Sequence, residues 1–108
     1  MTKGRVLPAD CRTMVEVRDG VDRLDEQIVR LLAERFRYMD AAARIKTDRT
    51  AVRDEWRKAD VLTKARFHGA QEMAPVGRIE TVYEALIESS IAHEFDQWDA
   101  IRSSGNAG

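Results

Sequence analysis

Cysteine, proline, glycine and aromatic residues are all scarce in this chain. Its 108 residues include one Cys, two Pro and six Gly, and Phe, Trp and Tyr together make up 6%. A lone Cys11 can form neither an intramolecular disulfide nor a cysteine-based metal cage. So little Pro and Gly excludes a low-complexity chain. No apolar run approaches the roughly 20 residues of a membrane span, and positions 1–13 lack the apolar core of a signal peptide. No membrane association and a cytoplasmic location are therefore expected. A surplus of one charge is missing as well. Lys and Arg number 18 against 19 Asp and Glu, for a net charge of −1, and the two signs are interleaved. No global basic field recruits nucleic acid. There is no Gly-rich phosphate loop and no Cys/His metal spacing, and His93-Glu94 does not open an H-E-x-x-H motif. His68 and His93 lie far apart with no nucleophile beside them, and read as ordinary surface or core-edge residues.

What the chain has is helical periodicity on a charged background, with 44% hydrophobic and 34% charged residues. It is long enough for one domain with one core. From Arg18 to Lys46, Val21, Leu24, Ile28, Leu31, Tyr38 and Ala42 recur every three or four residues, in phase with Val17. That is the period of one helix face. The expected organisation is an arm at 1–14, a helical domain at 15–102 and a flexible tail at 103–108. Thr13 or Asp10 is placed to cap a first helix over 15–47. A polar loop follows, then a shorter helix over 54–67 with Val52, Trp56, Ala59, Leu62 and Ala65 on one side. Gly69 is a plausible stop. Pro75 suits the first turn of a third helix, which carries Ile79, Tyr83, Leu86, Ile87, Ile91, Trp98 and Ile101. The fold class is all-α, with three helices: long, short, long.

The first helix is too long for a small monomer. About 29 residues at about 1.5 Å each span roughly 43 Å, whereas a compact globule of this size is only about 35 Å across. A shared element of an interlaced homodimer is the expected solution.

Polar groups embedded in the apolar stripes are the candidates for chemistry. At about 100° per residue, Arg35 returns to the angle of Val17, and Lys46 lands roughly 20° away. Each has a bland reading: Arg35 can pack its stem and send its head to solvent, and Lys46 near a helix end complements the dipole. Ser90 and Glu94 fall inside the third helix's stripe, where Ser90 can bond back to the preceding turn and Glu94 can pair with a lysine. Arg18, about 100° off the stripe, reads by itself as a solvated charge. Taken together, cations and a carboxyl facing a helical interior suit a polyanionic small molecule that neutralises them. Arginine's planar fork suits carboxylates in particular.

In order, the chain shows Arg18, D-x-x-I-V-x-L-L-A-E-R ending at Arg35, Lys46 eleven residues on, V-R-D-x-x-R from Val52 to Arg57, and E-S-S-I-A-H-E from Glu88 to Glu94. This resembles the all-helical class of chorismate mutases, the type II family. The resemblance implies an interlaced homodimer with two equivalent sites, each taking Arg18 from the partner and Arg35 and Lys46 from the other chain. The implied partner molecule is a small dicarboxylate, chorismate or isochorismate, and the implied reaction is the [3,3] rearrangement of chorismate to prephenate, with no cofactor and no metal. Arg18 and Arg35 would clamp the two carboxylates. Lys46 would donate to the ether oxygen, Asp54 and Arg57 would line the site from the second helix, and Ser90 would lie near the ring carboxylate.

Two departures from the family pattern stand out. Glu94 takes the place of a common glutamine donor, so it would have to be protonated to donate, and activity is then expected to favour mildly acidic pH. Lys58 replaces a glutamate that binds the substrate hydroxyl. That second loss is shared with the isochorismate–pyruvate lyases of the same fold, as are the L-P-A-D-C lead-in and the A-A-A-R-I-K segment, and lyase activity is the alternative. A non-catalytic helical dimer is a third.

Overall fold

The computed structural model describes residues 6–106, all helix, turn and loop with no strand among them. A short 3-10 turn at Pro8–Asp10 precedes helix α1, Met14–Ile45, and a second such turn at Arg49–Ala51 leads to α2, Glu55–Gln71, and α3, Val76–Asn106. The chain divides into two compact units, Met1–Arg35 and Phe36–Gly108, the boundary falling within α1.

In the first unit, α1 starts with a reciprocal cap. The Thr13 hydroxyl accepts from the Glu16 amide at 3.2 Å, while the Glu16 carboxylate accepts from the amides of Arg12 at 2.7 Å and Thr13 at 3.1 Å. The T-x-x-E spacing is a capping box, and these amide bonds, Arg12's first, hold the Glu16 carboxyl below its usual range. Pairs between Asp19 and Arg23 and between Glu26 and Arg30 run along the helix surface. No described residue of this unit is buried. Leu24 is 47% and Ile28 50% exposed, and Val15, Val21, Val29 and Leu31 are exposed as well. The apolar stripe exists, but in the single chain nothing closes over it.

The second unit holds the core: Ala43, Val52, Ala65 and Ile87 are its buried apolar residues. The α2 and α3 helices form an antiparallel hairpin, and Gly69, buried inside α2, sets their approach. A β-carbon there would sit 3.4 Å from Cγ1 of Ile79. Gly69 is therefore not the stop that sequence suggests. The helix runs on to Gln71 and ends with Met73 in the left-handed region at φ 55°. The Met73 amide donates to Ala70 O at 3.1 Å and the Ala74 amide to Gly69 O at 2.9 Å. This is a Schellman closure made without glycine at the left-handed position. Pro75 stands just before α3, accepting from the amides of Arg78 and Ile79.

Three other expectations are corrected. Trp56 is 88% exposed and Tyr38 is exposed, so neither belongs to a covered stripe within one chain. Asp54 lies just outside α2 rather than inside it, because its side chain accepts from the Arg57 amide as the N-terminal cap. Helix α3 does not end near 101 but continues to Asn106, since no proline interrupts it and Arg102 is anchored. The remainder of the expected arm, 1–5, and of the tail, 107–108, lies outside the described residues.

Candidate active site

Among the described residues, Ser90 and Glu94 are the buried polar side chains, 3% and 4% exposed. They lie one turn apart on α3, so they share a face. Across from them is Lys46, the first residue after α1, whose amide still bonds Ala42 O at 2.9 Å. Its Nζ lies 2.8 Å from Glu94 Oε2. The approach is that of an ion pair rather than a directed hydrogen bond, for Oε2 receives no hydrogen-bond donor in the correct geometry.

Ser90 Oγ donates to Leu86 O at 2.7 Å, the back-bond to the preceding turn. Immediately before Glu94 on α3, His93 Nε2 meets Asp40 Oδ1 at 2.6 Å, and the Phe36 ring packs edge-on against its imidazole. His93 is thus a core-edge residue joining α1 to α3.

The second helix behaves differently. Asp54 spends one carboxylate oxygen on capping, accepting from the Arg57 amide at 3.1 Å. The Arg57 guanidinium is exposed and donates to Asp60 at 2.8 Å. Lys58, standing where the family pattern has a hydroxyl-binding glutamate, is drawn to α3. Its ammonium lies 2.6 Å from Glu84 and 2.7 Å from Glu88. Glu88 also accepts from Arg53, at 2.6 Å. Hydrogen bonds from Arg53 and then Lys58 push the Glu88 carboxyl down to about 2, and those to Glu84 and then Glu88 raise Lys58. Lys58 is therefore committed to acids on α3.

Of the residues singled out by sequence, the structure brings together Lys46 and Glu94, with Ser90 one turn from Glu94 on α3. It sets Asp54 and Arg57 at the start of α2. Arg18, exposed, and Arg35, half-buried, belong to the first unit. Sequence reasoning missed the groups around the α1 terminus. Trp98 and Arg102 donate to its last carbonyls. Arg49 forks onto Asp99 at 2.8 and 3.1 Å and lies over the Phe95 ring. These contacts are about 50 residues apart in sequence, and no local pattern announces them. Among the described residues, no group of three or more His, Cys, Asp or Glu is placed to hold a metal ion, and no helix is long and apolar enough to cross a membrane.

Comparison with known proteins adds two findings. The sequence profile of the family described as chorismate mutase type II matches residues 17–95. An isochorismate pyruvate lyase of Pseudomonas aeruginosa is 27% identical over 95 residues, spanning 88% of this chain and 94% of that protein.

Proposed function

The chain belongs to the chorismate mutase type II family, and from that premise we propose that it is a chorismate mutase, rearranging chorismate to prephenate as an interlaced homodimer. The observation that carries this reading is the pairing of Lys46 with the buried Glu94 at 2.8 Å. Two side chains that the resemblance assigns to one ether oxygen face each other from different helices. The rearrangement needs no nucleophile. It needs the substrate held in its compact conformer and donors aimed at the oxygen that gains negative charge as the C–O bond breaks. Lys46 is one donor, and protonated Glu94 is the second. Arg35 and the partner's Arg18 clamp the two carboxylates, with Ser90 near the ring carboxylate and Asp54 and Arg57 at the rim.

The dimer is supported by the uncovered stripe of α1. Hydrophobic burial stabilises by about 25 cal/mol per Å², and Leu24 and Ile28 obtain little of it in one chain. An apolar hollow at the same place, lined by Val6, Pro8, Val17, Val21 and Leu24, offers a seat for a second copy.

In the free enzyme Lys46 and Glu94 neutralise each other. Substrate must take Lys46 over, and protonation of Glu94 both releases the lysine and creates the second donor. Activity is expected to decline as pH rises, and Glu94→Gln, a permanent donor, to flatten that decline. A wild-type kcat that stays level into alkaline pH removes Glu94 from the donor role.

A second reading has its own support. The Pseudomonas relative is named an isochorismate pyruvate lyase, and Lys58, held by Glu84 and Glu88, offers no carboxylate to a substrate hydroxyl. The same clamp with Lys46 would eliminate pyruvate from isochorismate, leaving salicylate. Assays with chorismate and with isochorismate from about pH 5 to about pH 9 separate the two. Prephenate as the efficient product supports the mutase, whereas salicylate and pyruvate at much higher efficiency assign the lyase. Neither product leaves a helical dimer without this chemistry.

A further inference from the structure

Lys46 stands where a helix ends, a place that leaves carbonyl groups without partners and lets the backbone fray. Here the end is closed from outside. Arg102 Nη1 donates to Ala43 O at 2.6 Å, and its Nη2 donates to Lys46 O. Trp98 Nε1 donates to the same Lys46 oxygen at 3.0 Å. The guanidinium itself lies over the Trp98 ring, its central carbon 4.3 Å from the centroid. Glu94, Trp98 and Arg102 follow one another at four-residue intervals on α3, so they share a face. One face of α3 thus grips Lys46 twice: Glu94 meets its ammonium, and Trp98 and Arg102 hold its carbonyl. The Arg49–Asp99 fork beside them ties down the next residues of the chain. Both carbonyl donors lie beyond residues 17–95, the stretch that matches the family profile.

We infer that Arg102 and Trp98 are positioning residues for Lys46, fixing the backbone from which its side chain reaches the substrate. The inference rests on the proposed role of Lys46. A lysine is a flexible four-carbon stem, so where its ammonium can reach depends on where its backbone is held. A misplacement of about 1 Å in a catalytic group can cost about 100-fold in rate. The planar fork of arginine spans two carbonyls of one helical turn at once, which a lysine's single ammonium cannot do.

The test compares Arg102→Met, Arg102→Lys and Trp98→Phe in the full chain, with and without Lys46→Met, by kcat, KM and unfolding midpoint. Arg102→Met is expected to lower kcat about tenfold or more, with a smaller change in KM, and Arg102→Lys to recover little of it. In the Lys46→Met background, Arg102→Met should have no further effect, because nothing remains to be positioned. A general structural role would instead lower both backgrounds by the same factor, and that result overturns the inference. So does a folded Arg102→Met enzyme with unchanged kcat and KM. Should Arg102→Met fail to fold, Trp98→Phe decides, since it keeps the ring and deletes one donor. A fall in kcat of about threefold supports positioning, and no change overturns it. If Lys46→Met alone turns over like the wild type, the proposed role of Lys46 fails and this inference with it, a result distinct from all the others.

Discussion

The two units of the chain use similar residues to opposite effect. The first places Val21, Leu24, Ile28 and Leu31 at helical spacing and buries none of them; the second buries Ala43, Val52, Ala65 and Ile87. The second also holds long-range ion pairs, including Arg53–Glu88, Lys58–Glu84 and Arg66–Glu80, whereas Asp19–Arg23 and Glu26–Arg30 in the first join neighbours on one helix. An apolar stripe is thus not the same as a core. The stripe states that a helix has a face to bury, and whether the chain itself covers that face is a separate matter. In the first unit it does not, and the proposed homodimer is the reading that would cover it.

The largest expected effect comes from placing a charge on the open stripe. Leu24→Glu is expected to dissociate the proposed dimer and abolish turnover while leaving the helical content of the second unit in place, as read by sedimentation, assay and circular dichroism. A fully active monomer would break the comparison, since the open face would then have no role in the site.

Next come paired truncations. Ile87→Ala, at a position only 5% exposed, is expected to cost about 2–5 kcal/mol in denaturant unfolding. If the first unit stayed open in solution, Ile28→Ala would cost within about 0.5 kcal/mol, as at any surface position. In the proposed dimer it is expected to approach the cost at Ile87, and to become more severe as the protein is diluted.

A smaller effect follows from the acid pair of the second unit. The Glu88 carboxyl sits at about 2 against an ordinary 4.5, chiefly through the bond from Arg53 and then Lys58. A lowered carboxyl contributes stability that is fully present above its unfolded value and is lost as pH falls through the folded one. Between about pH 4.5 and pH 2, then, stability is expected to decline more steeply in the wild type than in Glu88→Gln, measured by urea unfolding. The group is solvent-accessible, so the difference is modest. Equal slopes would detach Glu88 from the ion network.

The smallest change carries a sign. A β-carbon on Gly20 meets nothing within 4 Å in the single chain, so Gly20→Ala would stabilise a lone helix by about 0.5–1 kcal/mol. Loss of stability together with weaker dimerisation would show that a partner's chain approaches closely at Gly20.

Much of this was legible in the sequence, and the physical reasons divide cleanly. Helix α1 and its stripe rest on local periodicity, and Thr13 capped as its chemistry suggests. Ser90 and Glu94 were visible as polar breaks in an apolar pattern, and both are buried. Gly69 misled because glycine often ends helices, while here it is needed for the close approach of Ile79. The matching signal, a methionine in the left-handed region at position 73, has no sequence signature. Trp56 looked like a core residue by phase alone, yet it is exposed. The fate of Lys58 depends on Glu84 and Glu88, some 30 residues away, and the donors to Lys46 O come from still farther. Helical period reports which face is apolar, but it does not report what stands opposite.

The chain's two tryptophans occupy contrasting surroundings, and this makes the protein its own optical gauge. The Trp56 indole, 88% exposed, emits as a water-bathed fluorophore. Trp98 lies under a guanidinium and donates its N–H to the carbonyl of Lys46, so its emission is expected to respond to any change at that residue. With Trp56→Phe as the host, titration of a substrate or inhibitor becomes a single-fluorophore experiment, in which the spectrum of Trp98 records the state of the α1 terminus.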